Sequence, residues 1–551
     1  RHWTLVPHGL VGLIRIDGRV FRFMGSTADG PSWLNMRQPS GMRQVDLDVR
    51  PTQTCYRFED AGIALDVRFL TPLLPDDLDL LSRPLTYVHF SVVSLDGEAH
   101  QCEVYLEAAA AIACGDPEAL VVWERGEIAP RHPDLLIGTW EQNRLGRRGD
   151  LTTIDWGYLH LIGDQFAAGH MASASDLRRA FATGSTAAVD DSTWSRHGVP
   201  CGEAPVLALA WDLGSIHART ERTAILGYDD GVSIDYFGTP TPSYCFRNGT
   251  TFRDIAARAV ADSASVQERC AAFDQELIQR ARLAGGEHYA DLVSLAYRQS
   301  VAAHKLIADE RGRPVFLSKE CTSNVSIGTV DVSYPSTPLY LLVAPELVAG
   351  MLRPVFRFAA SPEWTPEYAP HDVGTYPRAT GQTYGVRIET VDPTRQMPVE
   401  ECGNMLIMSA AYTVRAADVT LANENWELLR QWADYLVEHG FDPENQLCTD
   451  DFAGHLARNT NLSVKAIVGI AAFARLCELT GRPDADRYRA VAADFATRWR
   501  SIAADGDHYR LTFDGEGSWS LKYNLVWDRF FGFDLFPRDV FEDEVAHYRT
   551  Q

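Results

Sequence analysis

The feature that most constrains this chain is a change of hydrophobic period near Gln275. Before it, apolar residues alternate in short runs; after it, they recur every three or four positions. A period of two puts successive side chains on opposite faces of a strand, and a period near 3.6 gathers them on one face of a helix. One chain therefore holds two architectures. The runs 12–23, 86–93, 102–107 and 204–211 read as strands, separated by turn pairs such as Asp17-Gly18, Asp96-Gly97 and Asp230-Gly231. Many short strands at this spacing predict a β-sandwich-like domain over 1–275, with local helices at 176–183 and 251–262.

From 276 to 551 the expectation is a helical domain of the (α/α)6-toroid type, a multidomain β + α chain overall. The stretch 289–309 carries Leu292, Leu295, Ala296 and Leu306 at helical spacing, and 426–439, 464–479 and 488–502 are amphipathic in the same way. Eight or nine helices are readable where a toroid of paired helices needs about twelve, so the barrel is expected to be incomplete at its C-terminal side. The start at Arg1, with neither methionine nor a basic-then-apolar leader, is expected of a processed or trimmed chain. Between the helices lie long segments rich in Gly, Pro, Asn, Asp and aromatics, at 311–335, 361–404, 442–462 and 510–537, where such domains place function.

Charge narrows the partners. With 74 acidic against 51 basic side chains and a net charge of −23, the chain repels phosphate backbones, so no nucleic-acid partner is expected. No run of about 18 apolar residues occurs, so no membrane partner is expected either. The ten cysteines include no C-x-x-C pair, and neither a zinc site nor any cofactor is expected.

Five polar segments carry candidate chemistry. The first, 316–335, holds Lys319, Glu320, Asn324 and Asp331; Glu320 beside Lys319 reads equally as a surface ion pair. The second combines Trp364 with His371, Asp372, Arg378 and Tyr384, mixing hydrogen-bonding groups with aromatic faces as a sugar or an amide would require. Metal ligation by His371 and Asp372 is disfavoured, because adjacent residues rarely supply two ligands and no third is near in sequence. The third sets Glu400 and Glu401 at a helix start, ahead of Asn404, where acids also serve the helix dipole. The fourth holds Asp450 and Asp451, of which Asp450 could simply be a cap. The fifth alternates Lys522, Tyr523, Trp527 and Asp528, which also suits a packed helix with snorkelling charges. Loops that follow successive helices on one side converge at one mouth of a barrel, and paired carboxylates there are the machinery of hydrolysis.

The set Ser318-Lys-Glu, Thr329-Val-Asp-Val, Pro370-His-Asp, Gly374-Thr-Tyr-Pro, Pro398-Val-Glu-Glu, Thr449-Asp-Asp-Phe-Ala-Gly-His and Lys522-Tyr-Asn-Leu-Val-Trp-Asp resembles the glutaminase A family of fungi and bacteria over nearly the whole chain. That resemblance implies a β-rich part before a helical domain and, by the family's name, hydrolysis of L-glutamine, although the usual Ser-x-x-Lys nucleophile arrangement is not evident in these motifs. More distantly, the order Glu320, Asp331, His371-Asp372 and Asp450 is similar to the bile-acid β-glucosidase family, retaining enzymes with a β-sandwich before an (α/α)6 barrel. On that match Glu320 is the nucleophile and Asp450 the acid/base. His371, Asp372, Arg378, Glu401, Asn404, Asp451, Asp331, Trp364, Lys522 and Trp527 then hold a small-molecule or oligosaccharide substrate. The alternatives are a glutamine amidohydrolase using the same acids and a carbohydrate-binding protein with an inactive site.

Overall fold

The computed structural model describes residues 8–26, 38–147, 149, 155–185, 198–320, 325–387, 390–449 and 454–551, with the backbone alone at 387 and 390. The chain divides into two compact units, residues 1–234 with 240–302, and residues 235–239 with 303–551.

The first unit is built on antiparallel sheets, one of six strands and one of nine among the described residues. The expected strand at 12–23 is a hairpin of Leu10–Ile16 and Arg19–Met24, turned at Asp17 and Gly18, whose φ angles of 49° and 80° match the twist of paired strands. Leu10–Ile16 also pairs with His100–Ala109, which in turn pairs with Pro205–Ile216. Alternate residues of these strands, including Ile14, Ile16, Val104, Leu106, Leu207 and Leu209, close one apolar core with Phe90 and Val92 of Leu85–Ser94. The local helix at 176–183 is Ala174–Thr183, capped by Ser173. The one at 251–262 is the start of Phe252–Gly285, opened by a capping box of Thr251 and Asp254, so residue 275 falls inside a continuous helix.

Glu287–Ala302 follows, and here the reading of 289–309 as one helix is corrected. The helix stops at Ala302, and 304–318 forms a hairpin of His304–Ala308 and Pro314–Ser318. Asp309 turns the chain by accepting from the backbone N–H groups of Arg311 and Arg313, an alternative to helical bonding that short acidic side chains offer. Leu292, Leu295 and Ala296 are exposed, and the buried stripe is instead Ala290, Ser294, Tyr297 and Val301.

The second unit is helical. Val330–Val343, Pro345–Ala359, Pro398–Ala416, Trp426–His439, Thr460–Thr480, Ala485–Ala503, Leu525–Phe531 and Arg538–Tyr548 are its main helices among the described residues. Pro398–Ala416 and Thr460–Thr480 are buried along nearly their whole lengths, as apolar composition on all sides requires. They approach closely where Gly469 Cα-side space meets Gly403; a Cβ at Gly403 would stand 2.5 Å from Cγ of Lys465. That contact lets a lysine stem cross between two packed helices. No helix among the described residues is long and apolar enough to cross a membrane.

A candidate active site of buried carboxylates

The segment 325–330 is laced to the loop at 371–374: Ile327 N–H donates to Gly374 O, Val373 N–H to Ile327 O, and Val330 N–H to His371 O. Gly374, at φ 145°, makes the loop possible, since a Cβ there would lie 2.0 Å from Arg378 O. This lacing sets Asp331, in the first turn of Val330–Val343, opposite His371. His371 Nδ1 lies 3.0 Å from Asp372 Oδ2, and its Nε2 lies 3.6 Å from Asp331 Oδ1. Asp372 is fully satisfied, accepting also from the N–H groups of Gly374, Thr383 and Tyr384. The Tyr384 ring stacks on the imidazole at 4.2 Å.

A second network meets the first from the Pro398–Ala416 helix. Lys465, completely buried, pairs with Glu400 and donates to Asn404 Oδ1 at 2.7 Å; Thr449 Oγ1 also donates to Glu400. Because Asn404 accepts from Lys465 with its oxygen, its amide nitrogen must donate, and it does so to Glu401 Oε2 at 3.0 Å. Lys465 also stands 4.0 Å over the ring of Tyr334, whose hydroxyl donates to Asn524 Oδ1 at 2.6 Å.

Asp331 Oδ1, Glu400 Oε2 and Glu401 Oε1 are left buried with no hydrogen-bond partner among the described residues. Unsatisfied buried carboxyl oxygens are costly, so their presence together is informative. Burial, reinforced by the charges of Asp331 and Glu400, holds the Glu401 carboxyl well above the usual carboxylate range. Burial raises Asp331 as well, with His371 pulling the other way. Burial would lower the imidazole of His371, but Asp331 and Asp372 outweigh it and raise it. Burial favours the protonated form of Glu401, and His371 favours the ionised form of the facing Asp331. With Glu401 Oε2 accepting from Asn404, the acid's proton belongs on Oε1.

One ligand atom each from Asp331, His371 and Glu401 lies within 4.8 Å of the others. The fold thus supplies the third and fourth polar groups that sequence proximity lacked around His371, and one imidazole with two carboxylates is also a donor set able to hold a divalent cation.

Of the residues singled out in the sequence, Asp331, His371, Asp372, Glu401 and Asn404 come together. Glu320 accepts from Thr329 Oγ1 at 3.3 Å and acts electrostatically on His371. Arg378 sits on the short strand Arg378–Ala379, which pairs with Asp235 and Tyr236. Trp364 is buried elsewhere, its indole N–H donating to Tyr368 O. Lys522 is also apart: buried, it donates to Tyr509 O and Ser520 O, and burial lowers its ammonium to about 8 against the pull of Glu544. Trp527 packs behind Tyr334 with ring centres 5.7 Å apart. Asp450, Asp451 and Asn324 lie outside the described residues. Lys465 and Thr449 were missed; the available signal was a single lysine inside the apolar run of 460–480.

Comparison with known proteins matches residues 286–551 to the glutaminase A six helical-hairpin domain and 52–280 to a domain of unknown function (DUF5127). The chain is similar to glutaminase A of Aspergillus oryzae, 31% identical across 100% of this chain and 78% of that protein. It is also similar to a protein of Arthroderma benhamiae named a probable glutaminase, 26% identical across 89% of this chain and 65% of that one. Among solved structures it is similar to a bacterial glucoamylase complexed with acarbose, at TM-score 0.48 and 10% identity over 94% of this chain and 65% of the other. On the strength of the full-length match, the chain belongs to the glutaminase A family.

Proposed function

We propose that this protein is a glycoside hydrolase in which Glu401 is the proton donor and Asp331 the nucleophile. The observation that carries the reading is Glu401 Oε1, a buried carboxyl oxygen without a partner among the described residues, on an acid whose burial favours its protonated form. Burial raises both carboxyls, and His371 opposes the shift at Asp331, so Glu401 is the better placed of the two to donate a proton. Glu401 gives its Oε1 proton to the glycosidic oxygen as the C1–O bond breaks, and Asp331 forms a bond to C1. Water, deprotonated by the Glu401 carboxylate, then displaces Asp331, which restores both groups. The gap of at most 4.8 Å between their facing oxygens is shorter than the roughly 6.5–9.5 Å that an inverting pair needs to seat a water, which favours retention.

The charges around the site favour a neutral substrate over a free amino acid. Both cations of the described cluster are held by carboxylates, Lys465 by Glu400 and His371 by Asp331 and Asp372, so no cation there is left for an α-carboxylate. The second reading, amide hydrolysis as the relatives' names imply, has its own support in Thr449: its hydroxyl donates to Glu400 and accepts from Lys465 Nζ at 3.4 Å, a nucleophile beside a carboxylate base.

The test is hydrolysis of an aryl-glycoside panel and of L-glutamine in parallel by wild type, Glu401→Gln, Asp331→Asn, Glu320→Gln and Asp450→Asn. Sugar release abolished by the first two substitutions supports this assignment; loss confined to Glu320→Gln and Asp450→Asn transfers the roles to that pair. Ammonia from glutamine without glycoside turnover, abolished by Thr449→Val, establishes the second reading instead.

A further inference from the structure

The strand-built unit carries a cavity of about 700 Å3 that has no part in the carboxylate cluster. Its rim is apolar and open: Trp140 and Leu120 are 55% and 42% exposed, and they sit across the strand ends Leu120–Ala129 and His132–Thr139, with Trp140 N–H donating to Leu120 O at 2.8 Å. An exposed tryptophan beside an exposed leucine at a strand end has no packing role, so its place needs a different reason.

The floor is polar and rigid. Thr139 Oγ1 donates to Asp155 O, and the Gln142 side chain is fixed by Thr139 O and Gly157 N–H. Asp155 is only 8% exposed; its Oδ2 meets Arg147 Nε at 3.0 Å, while its Oδ1 has no hydrogen-bond partner among the described residues. A buried acceptor without a donor, lining a cavity beneath an open indole, is a site built for a ligand that brings a hydroxyl. Asp116, Glu118 and Glu141 around the walls disfavour an anion, and Arg147 already neutralises the deepest carboxylate, which disfavours a cation there. What remains is a neutral ligand with an apolar face for Trp140 and hydroxyls for Asp155 and Arg147.

We propose that this cavity is a saccharide-binding site, separate from the hydrolytic centre and independent of the roles assigned to Glu401 and Asp331. The test is titration calorimetry of the full chain carrying Glu401→Gln with maltotriose, cellotriose, mannotriose and xylotriose, and with choline as a cationic probe. The expected result is saturable binding of at least one trisaccharide, weakened about tenfold or more by adding Trp140→Ala. Trp140→Ala alone should leave aryl-glycoside turnover unchanged. The proposal is overturned if no trisaccharide binds, if binding is indifferent to Trp140→Ala, or if choline rather than sugar binds through Trp140. Because the readout is binding away from Glu401, its failure leaves the hydrolytic reading untouched, and absence of turnover leaves the binding result intact.

Discussion

Asp274 of the strand-built unit and Glu401 of the helical unit are both buried carboxyls, in opposite surroundings. In the strand-built unit Asp274, 1% exposed, accepts from Thr52 N–H, Thr52 Oγ1 and Gln53 Nε2 at 2.8–3.0 Å, and Glu107 accepts from Tyr105 and Arg178. In the helical unit Glu401, equally buried, keeps one oxygen unbonded and faces Asp331, likewise unsatisfied. The contrast separates carboxylates that hold structure from carboxylates kept available for chemistry: the former are saturated with donors, whereas the latter cost stability where they stand.

Three substitutions and one chelator test the difference between these carboxyls. The largest effect is expected from Glu401→Gln, which should reduce turnover by about 10²–10⁴-fold. Its stability should move the other way. A carboxyl whose folded pKa is raised loses stability as pH climbs past its unfolded value, because the unfolded chain ionises first. Glu401→Gln should therefore melt at or above the wild-type temperature at neutral pH, with the gap closing in acid; a lower melting point at pH 7 would place Glu401 among the structural carboxylates. Lys465→Met should do the reverse, stranding buried Glu400 and costing about 3–5 kcal/mol in urea unfolding, with Lys465→Met/Glu400→Gln recovering part of the loss. Asp274→Ala should cost about 1.5–3 kcal/mol by orphaning its donors while turnover per folded molecule is preserved. The smallest effect, none, is expected from EDTA: chelator-sensitive turnover would mean that Asp331, His371 and Glu401 hold a cation rather than protons.

Much of the fold was legible because hydrophobic period reports directly on strand and helix; the turn pair Asp17-Gly18 marked a hairpin, whereas Asp96-Gly97 and Asp230-Gly231 join strands of different sheets. The failure at 304–318 came from Asp309, whose backbone bonding overrides a helical pattern over a few residues. The site was legible as a set of polar segments, not as an arrangement. Asp331, His371 and Glu401 are separated by 40 and 30 residues in sequence and meet because 325–330 is laced to 371–374 and Gly403 admits Lys465. Polar and aromatic richness marked Trp364 and Lys522 equally; in the fold the Trp364 indole donates to Tyr368 O, and Lys522 donates to Tyr509 O and Ser520 O.

The central claim is that Glu401 donates a proton to the leaving group, and leaving-group dependence tests it most directly. Turnover of a dinitrophenyl glycoside, which needs no proton to depart, should be nearly retained in Glu401→Gln, while that of the matching alkyl glycoside should collapse. Equal loss on both, or no loss on either, would contradict the assignment of Glu401 as the acid.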